Sequence, residues 1–143
     1  MTTALIVSCS KRKTTRPGAA IDVYDGQLFR ILHKYPMPNV DIFILSALYG
    51  LIRSNESIVP YHVTMKETKG TIAPLIIHQW NDLGMANYSE VYACMGKLYG
   101  DVLVDALFYK TIEAKLTIQF IPPHPAPIGK MQAALKDFCL RMS

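Results

Sequence analysis

The chain has 143 residues, of which half are hydrophobic, so residues 1–143 suit a single domain with a real core. Its 15 Lys and Arg against 11 Asp and Glu give a formal net charge of only +4, which argues against the chain-wide cationic coat of a nonspecific duplex-binding protein. The three cysteines are widely spaced and no histidines stand at zinc-finger spacing, so neither disulfides nor structural zinc is expected.

The first predicted strand runs from Thr3 to Ser8 and leads directly into a basic loop. Its centre is apolar without alternation, which is typical of a strand buried on both faces in a parallel sheet covered by helices. The loop then places two hydroxyls, a thiol and three cations side by side in Ser8-Cys9-Ser10-Lys11-Arg12-Lys13.

This loop is the strongest candidate for a binding site. Ligands of open α/β sheets bind outside the carboxyl ends of strands, and concentrated cations attract phosphates. Four residues are therefore predicted to bind substrate: Ser8, Ser10, Lys11 and Lys13. A solvated basic loop is the alternative. Because cations stabilise a thiolate, Cys9 is a candidate nucleophile. The alternative is that Cys9 is simply a small buried residue of the core.

A carboxylate-bearing segment and the first helix follow the loop. The helix is predicted from four residues on one face, Leu28, Ile31, Leu32 and Tyr35, with Asp25 as its N-cap. Asp22 precedes them in a segment that would fold back over the basic loop. It is one of two candidate catalytic acid–base groups; the other is Glu56, further along the chain.

The second predicted strand, Asp41 to Ser46, ends in the segment Ser46-Ala47-Leu48-Tyr49-Gly50-Leu51-Ile52. A small residue, an aromatic and a glycine leave the strand together, which predicts a sharp turn. Ser46, Tyr49 and Gly50 are predicted to contact substrate, with Tyr49 stacked on a flat ligand. The alternative is that Tyr49 only packs in the core and Gly50 only forms a turn.

The remaining elements alternate between helix and strand. A helix is predicted from about Thr71 to Leu83, with Pro74 in its first turn. Strands are predicted at Ser89 to Met95 and at Leu116 to Ile121, separated by a helix that carries Leu98, Val102, Ala106 and Leu107 on one face. A proline-rich connection leads into a closing helix with five apolar residues at helical spacing: Ile128, Met131, Leu135, Phe138 and Met142.

This alternation predicts a single-domain three-layer α/β/α sandwich with a mainly parallel four-stranded sheet. The amides at the start of the closing helix, beside Gly129 and Lys130, are a further candidate anion site. His62, His78 and His124 lack partners at ligand spacing, so no metal is expected. No cofactor is expected either.

Three segments in combination resemble an uncharacterised small domain of bacteria and phages. They are Ser8-Cys9-Ser10-Lys11-x-Lys13, Val23-Tyr24-x-Gly26-x-Leu28-Phe29 and Ile44-Leu45-Ser46-Ala47-x-Tyr49-Gly50-Leu51-Ile52. Pro60-Tyr61 resembles the first two residues of that family's Pro-Tyr-Asp segment, with His62 replacing the acid. Gly129-Lys130 resembles part of the start of its last helix. The resemblance supports the fold and adds Tyr24, Tyr61, Gly129 and Lys130 to the expected substrate-binding residues.

A more distant resemblance is to the core domain of archaeosine synthase and, beyond it, to the uracil-DNA-glycosylase-like superfamily. Cys9-Ser10 match the Cys-Ser of a Pro-Cys-Ser-x-x-Lys-type loop in that core domain, Ser8 replaces the proline, and Lys11 or Lys13 would supply the lysine. This resemblance implies handling of a nucleobase, nucleoside or modified nucleic acid. It also implies a further hypothesis, in which Lys11 or Lys13 is a nucleophile.

The leading hypothesis is an enzyme of nucleobase or nucleic-acid modification, acting at an N-glycosidic bond or a modified base. The alternative is a module that binds a nucleotide or nucleic acid without turnover, as a sensor or phage accessory factor. No segment resembles a signal peptide or a membrane span, so a cytoplasmic protein is expected, in the host cytoplasm if phage-encoded. A homodimer through Phe108-Tyr109 or the helix containing Trp80 is left open.

Overall fold

The computed structural model describes residues 2–113 and 118–143, and for residues 109–113 the backbone alone. Seven strands are found in the described residues: β1 (Thr3–Ser8), β2 (Gly18–Ala19), β3 (Val40–Ser46), β4 (Gly50–Arg53), β5 (Ser57–Ile58), β6 (Glu90–Cys94) and β7 (Ile118–Phe120). The same residues contain six α-helices: α1 (Ala20–Val23), α2 (Gln27–Lys34), α3 (Met65–Thr68), α4 (Ala73–Asp82), α5 (Lys97–Glu113) and α6 (Ile128–Met142).

The main sheet has five strands in the order β4-β3-β1-β6-β7. β1 is parallel to both β3 and β6, β6 is parallel to β7, and β4 is antiparallel to β3. All six residues of the central strand β1 are buried. Because successive side chains point to opposite faces, both faces of the sheet are covered at β1. The prediction of a mixed α/β fold with a mainly parallel sheet is confirmed.

The number of strands was predicted wrongly, because β4 was taken for part of a turn. After β3 the chain reverses and pairs back, with Ser46 opposite Gly50. Gly50 has a φ of 74°, a conformation that residues with a Cβ rarely adopt. Gln79 on α4 fixes this turn, since its side-chain oxygen accepts from the Leu51 amide and its nitrogen donates to the Tyr49 carbonyl, each at 2.7 Å.

The predicted cap of the first helix is also corrected. α2 begins after Gly26, and no side chain caps it. Asp25 instead forms ion pairs with Arg12, at 3.1 Å, and with Arg30, at 3.6 Å. Two guanidinium groups therefore hold this carboxylate away from the helix amides.

The helices come in packed pairs, α2 with α6 and α4 with α5, and α4 also packs on β4. Pro74 lies in the first turn of α4 as predicted, although the helix begins at Ala73 rather than Thr71. Most of the apolar positions predicted for α6 face the core, including Leu135 and Phe138, whereas Ile128 is exposed.

The last predicted strand, 116–121, is found as the shorter β7, with positions 116–117 outside the described residues. The side chain of Tyr109, named for a homodimer face, lies outside them too. None of the helices in residues 2–113 and 118–143 combines the length and apolar character that a bilayer crossing requires.

Candidate functional site

A cavity of about 190 Å³ opens where β1 ends. The residues around it come from three parts of the chain: the basic loop, the segment after β5 and the start of α5. They include Cys9, Ser10, Lys11, Lys13, residues 61–64 and Tyr99. We call it the strand-end cavity. Its position agrees with the general rule that ligands of open α/β sheets bind outside the carboxyl ends of strands.

Three hydroxyl groups form a closed ring behind this cavity. The Tyr24 hydroxyl donates to Ser46 Oγ at 2.9 Å, and the Tyr61 hydroxyl lies 2.7 Å from both of the other oxygens. Ser46 Oγ also accepts from the amides of Leu48, at 3.2 Å, and Tyr49, at 3.0 Å. We call Tyr24, Ser46 and Tyr61 the hydroxyl triangle; it fixes the ring of Tyr61 in the cavity wall.

The tyrosines of the triangle are uncharged at neutral pH. Burial raises the pKa of Tyr24 to about 12 and raises the pKa of Tyr61 as well. Removing these phenols from water disfavours their ionised form. They are therefore neutral hydrogen-bonding groups rather than bases.

The charged ammonium group of Lys13 lies against the hydroxyl triangle. Its Nζ lies 4.4 Å from the centre of the Tyr61 ring, within cation–π range, and donates to the Lys11 carbonyl at 3.2 Å. Burial lowers the pKa of Lys13, while a negative charge on Cys9 acts in the opposite direction. The main chain of Lys13 also forms a β-bridge with Tyr24, which places the basic loop next to the triangle.

Cys9 stands at the end of β1 with its sulfur towards α5. Its amide donates to the Leu45 carbonyl at 3.0 Å, which extends the β1–β3 pairing by one residue. Its Sγ lies 3.2 Å from the Tyr99 hydroxyl. Burial raises the pKa of Tyr99, so this hydroxyl keeps its proton and can donate it in a hydrogen bond to the sulfur.

Ser8 and Ser10 lie beside the start of α2, and Ser10 also lines the strand-end cavity. Both contribute to a second cavity, of about 180 Å³, together with Gly26 and Gln27 at the start of α2. Ser10 Oγ donates to the Arg12 carbonyl at 2.5 Å. A Cβ at Gly26 would lie 2.6 Å from the Cβ of Ser10, so the close approach of loop and helix requires glycine there.

Tyr49 and Gly50 do not line the strand-end cavity. The Tyr49 hydroxyl donates to the Val59 carbonyl and accepts from the Val59 amide, each at 3.3 Å. Its ring meets Tyr61 edge-on, with the ring centres 5.5 Å apart, and also lines an apolar groove beside Ile58. Gly50 is buried as the first residue of β4.

The predicted carboxylates lie outside the strand-end cavity as well. Asp22 is exposed on α1 and faces His33 at 3.6 Å. Glu56 is exposed, and its carbonyl accepts from the Ala20 amide at 2.8 Å. Gly129 and Lys130 are exposed at the start of α6 and line neither of the two cavities beside the loop.

The structure thus divides the predicted site residues into two sets. One set surrounds or supports the strand-end cavity: Cys9, Ser10, Lys11, Lys13, Tyr24, Ser46 and Tyr61. The other set does not line it: Ser8, Asp22, Tyr49, Gly50, Glu56, Gly129 and Lys130. Among the described residues, the lining includes no carboxylate, and no group of three His, Cys, Asp or Glu could hold a metal ion.

A model of a family of unknown function, DUF6884, matches residues 4–135. The chain belongs to this family. The predicted membership of an uncharacterised family is therefore confirmed, whereas the resemblance to archaeosine synthase stays a prediction. No curated protein and no solved structure matches the chain.

In this DUF6884 chain, sequence reasoning missed Tyr99, Val63 and Thr64 as lining residues and gave His62 no part in the cavity. Tyr99 is 90 positions from its partner Cys9, and no local pattern joins the two. One signal was present, however. Tyr99 follows the end of β6 by five residues, and β6 was predicted to be parallel to β1, so the first turn of the following helix had to lie near Cys9.

Proposed function

We propose that this protein is an enzyme of nucleobase or nucleic-acid modification, which binds the base of its substrate in the strand-end cavity and acts at an N-glycosidic bond or a modified base. One observation carries the proposal: the cavity combines a cation, a thiol and aromatic rings at the carboxyl end of β1. Aromatic rings bind flat bases by stacking, and lysines bind phosphates.

The size of the cavity supports entry of a base rather than of a whole nucleotide. Its volume of about 190 Å³ is below the roughly 300–1,000 Å³ of pockets that enclose whole ligands. It is slightly above the roughly 150 Å³ cavity that accommodates benzene. One heterocyclic ring therefore enters, and sugar and phosphate stay outside, where the exposed Lys11 binds the phosphate.

The acid–base group of this proposed reaction is in the cavity rather than on Asp22 or Glu56. Both of those carboxylates are exposed and line neither cavity beside the loop. Lys13 lines the cavity, and burial lowers the pKa of its amine below the ordinary lysine value, which makes its ammonium a better proton donor.

A second function, binding without turnover, is favoured by a different observation. The described lining holds no carboxylate, and the oxocarbenium-like transition state of N-glycosidic cleavage is commonly stabilised by one. In that case the cavity holds a nucleobase, a nucleotide or the end of a nucleic acid as a sensor or an accessory factor.

The binding test is a thermal-shift screen with nucleobases, nucleosides, nucleotides and short oligonucleotides at low salt, since a ligand of the native state raises Tm. We expect Lys13→Ala and Lys11→Ala to weaken binding of the stabilising ligand at least about tenfold, because charge-assisted contacts are lost. Lys69→Ala is the matched control, because Lys69 is an exposed lysine directly after α3 that lines neither cavity. Unchanged binding in both loop variants would overturn the proposal.

Turnover separates the two functions. The stabilising ligand is incubated with the protein, and the products are followed by mass spectrometry as a released base or a changed base. We expect Asp22→Asn and Glu56→Gln to keep both binding and turnover within about twofold, because surface substitutions far from a site act weakly. Loss of turnover with binding intact in either variant would return the acid–base role to that carboxylate.

We also propose that the helix pairs α2–α6 and α4–α5 cover opposite faces of the sheet and complete a three-layer α/β/α sandwich. Burial of every residue of β1 supports this arrangement, because both faces of that strand are covered.

A further inference from the structure

Few groups in the strand-end cavity can begin a covalent reaction. Burial raises the pKa of Tyr61 and of Tyr99, so neither phenol is a nucleophile near neutral pH. The Ser10 hydroxyl is bound to the Arg12 carbonyl at 2.5 Å. Of the groups that remain, the Cys9 thiol and the Lys13 amine are half-buried, whereas Lys11 and His62 are exposed at the rim.

The structure supports the sulfur of Cys9 with two kinds of contact. The Tyr99 hydroxyl lies 3.2 Å from it and can donate a hydrogen bond to it, and the Lys13 ammonium lines the same small cavity. A hydrogen-bond donor and a nearby cation are the groups that stabilise a thiolate, which is the reactive form of cysteine. The bond from the Cys9 amide to Leu45 holds the residue in place at the end of β1.

Although burial lowers the pKa of Lys13, two of its contacts favour the charged, proton-donating form. Its Nζ lies 4.4 Å from the centre of the Tyr61 ring, a contact that favours the charged ammonium. It also donates to the Lys11 carbonyl, which an ammonium does readily. Of the two groups, the sulfur is therefore the one with an electron pair available for attack.

We infer that Cys9 is the nucleophile of the strand-end cavity and forms a transient covalent bond with an electrophilic ring carbon of the bound base. This inference rests on the proposed function. In the forward step the C–S bond forms, the electron pair of a ring C=N bond moves to the nitrogen, and that nitrogen takes a proton from the Lys13 ammonium. After the bound base has reacted at its N-glycosidic bond or its modified position, the nitrogen returns its proton to Lys13, its electron pair re-forms the C=N bond and the C–S bond breaks with the thiolate leaving, so no oxidant or reductant is needed.

The chain offers internal controls for a test of thiol reactivity. Cys94 and Cys139 are completely buried. Burial raises the pKa of Cys94 to about 12 and also raises the pKa of Cys139. Both are therefore expected to be inert towards polar reagents.

The first experiment is alkylation of the native protein by iodoacetamide at pH 7, mapped by peptide mass spectrometry. The C–S bond forms at the reagent carbon and iodide leaves. We expect modification of Cys9 alone, at a rate that falls about tenfold in Lys13→Met and several-fold in Tyr99→Phe, with Lys69→Met unchanged as the control. Equal rates in the wild type and in Lys13→Met would overturn the inference.

The second experiment separates failure of this inference from failure of the proposed function. Cys9→Ser is compared with the wild type for stabilisation by cytidine and guanosine 5′-monophosphates and by their free bases, and for turnover of whichever ligand stabilises. We expect retained stabilisation and an at least hundredfold loss of turnover. Turnover that persists in Cys9→Ser, or a covalent adduct mapped to Lys13, overturns the nucleophile assignment. Absence of stabilisation in the wild type overturns the function itself.

Discussion

Each hydroxyl group of the hydroxyl triangle forms a hydrogen bond with each of the other two. Tyr24 donates to Ser46, so the ring closes when Ser46 donates to Tyr61 and Tyr61 donates to Tyr24. Every buried hydroxyl then donates once and accepts at least once, as buried polar groups require. The consequence is a rigid aromatic wall under Lys13 that contains no free charge.

Ser46 is the member whose removal should cost the most stability. Ser46→Ala removes the acceptor used by the Tyr24 hydroxyl and by the Leu48 and Tyr49 amides. Leaving buried donors without a partner costs about 1–3 kcal/mol, so we expect a loss of about 2–3 kcal/mol in urea unfolding. Ser57→Ala, at an exposed position, should change stability by less than about 0.5 kcal/mol. Equal stability of the two variants would contradict the triangle.

At the residue scale, the local pattern located the basic loop, the family resemblance added Tyr24 and Tyr61, and Tyr99 was missed. Lys11 and Lys13 were predicted to bind substrate and Cys9 to be a candidate nucleophile because they follow a buried strand directly, and all three line the cavity. The roles of Tyr61 and Tyr99 depend on side-chain contacts across 15 to 90 positions of the chain. Such contacts are set by tertiary packing, which local patterns do not encode.

At the scale of elements, the turn between β3 and β4 depends on one glycine and one glutamine. A Cβ at Gly50 would lie 2.2 Å from the Gln79 side-chain oxygen, which is already bonded to the Leu51 amide. The same residue needs a positive φ. Main-chain conformation and close packing therefore both require glycine at this position.

We expect Gly50→Ala to destabilise the protein by about 2 kcal/mol or more, since left-handed strain in a residue with a Cβ alone costs about 1–2 kcal/mol and Gln79 must move as well. Gly129→Ala is the matched control, because nothing lies within 4 Å of the added Cβ in the first turn of α6. That variant should be neutral or more stable by up to about 1 kcal/mol. Urea unfolding of both variants measures the difference, and a neutral Gly50→Ala would contradict the turn geometry.

Most elements could be predicted because their sequence signals are long. The apolar runs of β1, β3 and β6 predicted buried parallel strands to within one residue at each end, and spaced apolar residues predicted α2, α5 and α6. The strand β4 was missed because it has only four residues and begins with glycine. A strand this short is stabilised by pairing with β3 rather than by its own sequence.

At the scale of the whole molecule, one cluster of buried residues joins the sheet to the helices on it. It includes Ile6 of β1, Phe43 of β3, Trp80 of α4, Leu103 of α5 and Phe138 of α6. A shared core of this kind makes the elements unfold together.

Trp80 provides a direct test of this single-domain behaviour. It is the only tryptophan of the chain and is buried, so its fluorescence reports on packing around α4, whereas far-ultraviolet circular dichroism reports on all the helices. We expect both signals to give the same urea midpoint, as two-state unfolding requires. Two separate midpoints would show that part of the chain forms an independent unit.

Within the described residues, the two outer strands of the main sheet are short, with four residues in β4 and three in β7. On β4, the Leu51 amide is occupied by Gln79. At the other edge of the sheet, the amide of Ile121 donates to the Ala93 carbonyl, which is the last bond of the pairing with β6. The next two residues are prolines, which have no amide hydrogen to continue that pairing. Short, interrupted outer strands are poor templates for a strand of another molecule, so the folded chain is protected against edge-to-edge aggregation.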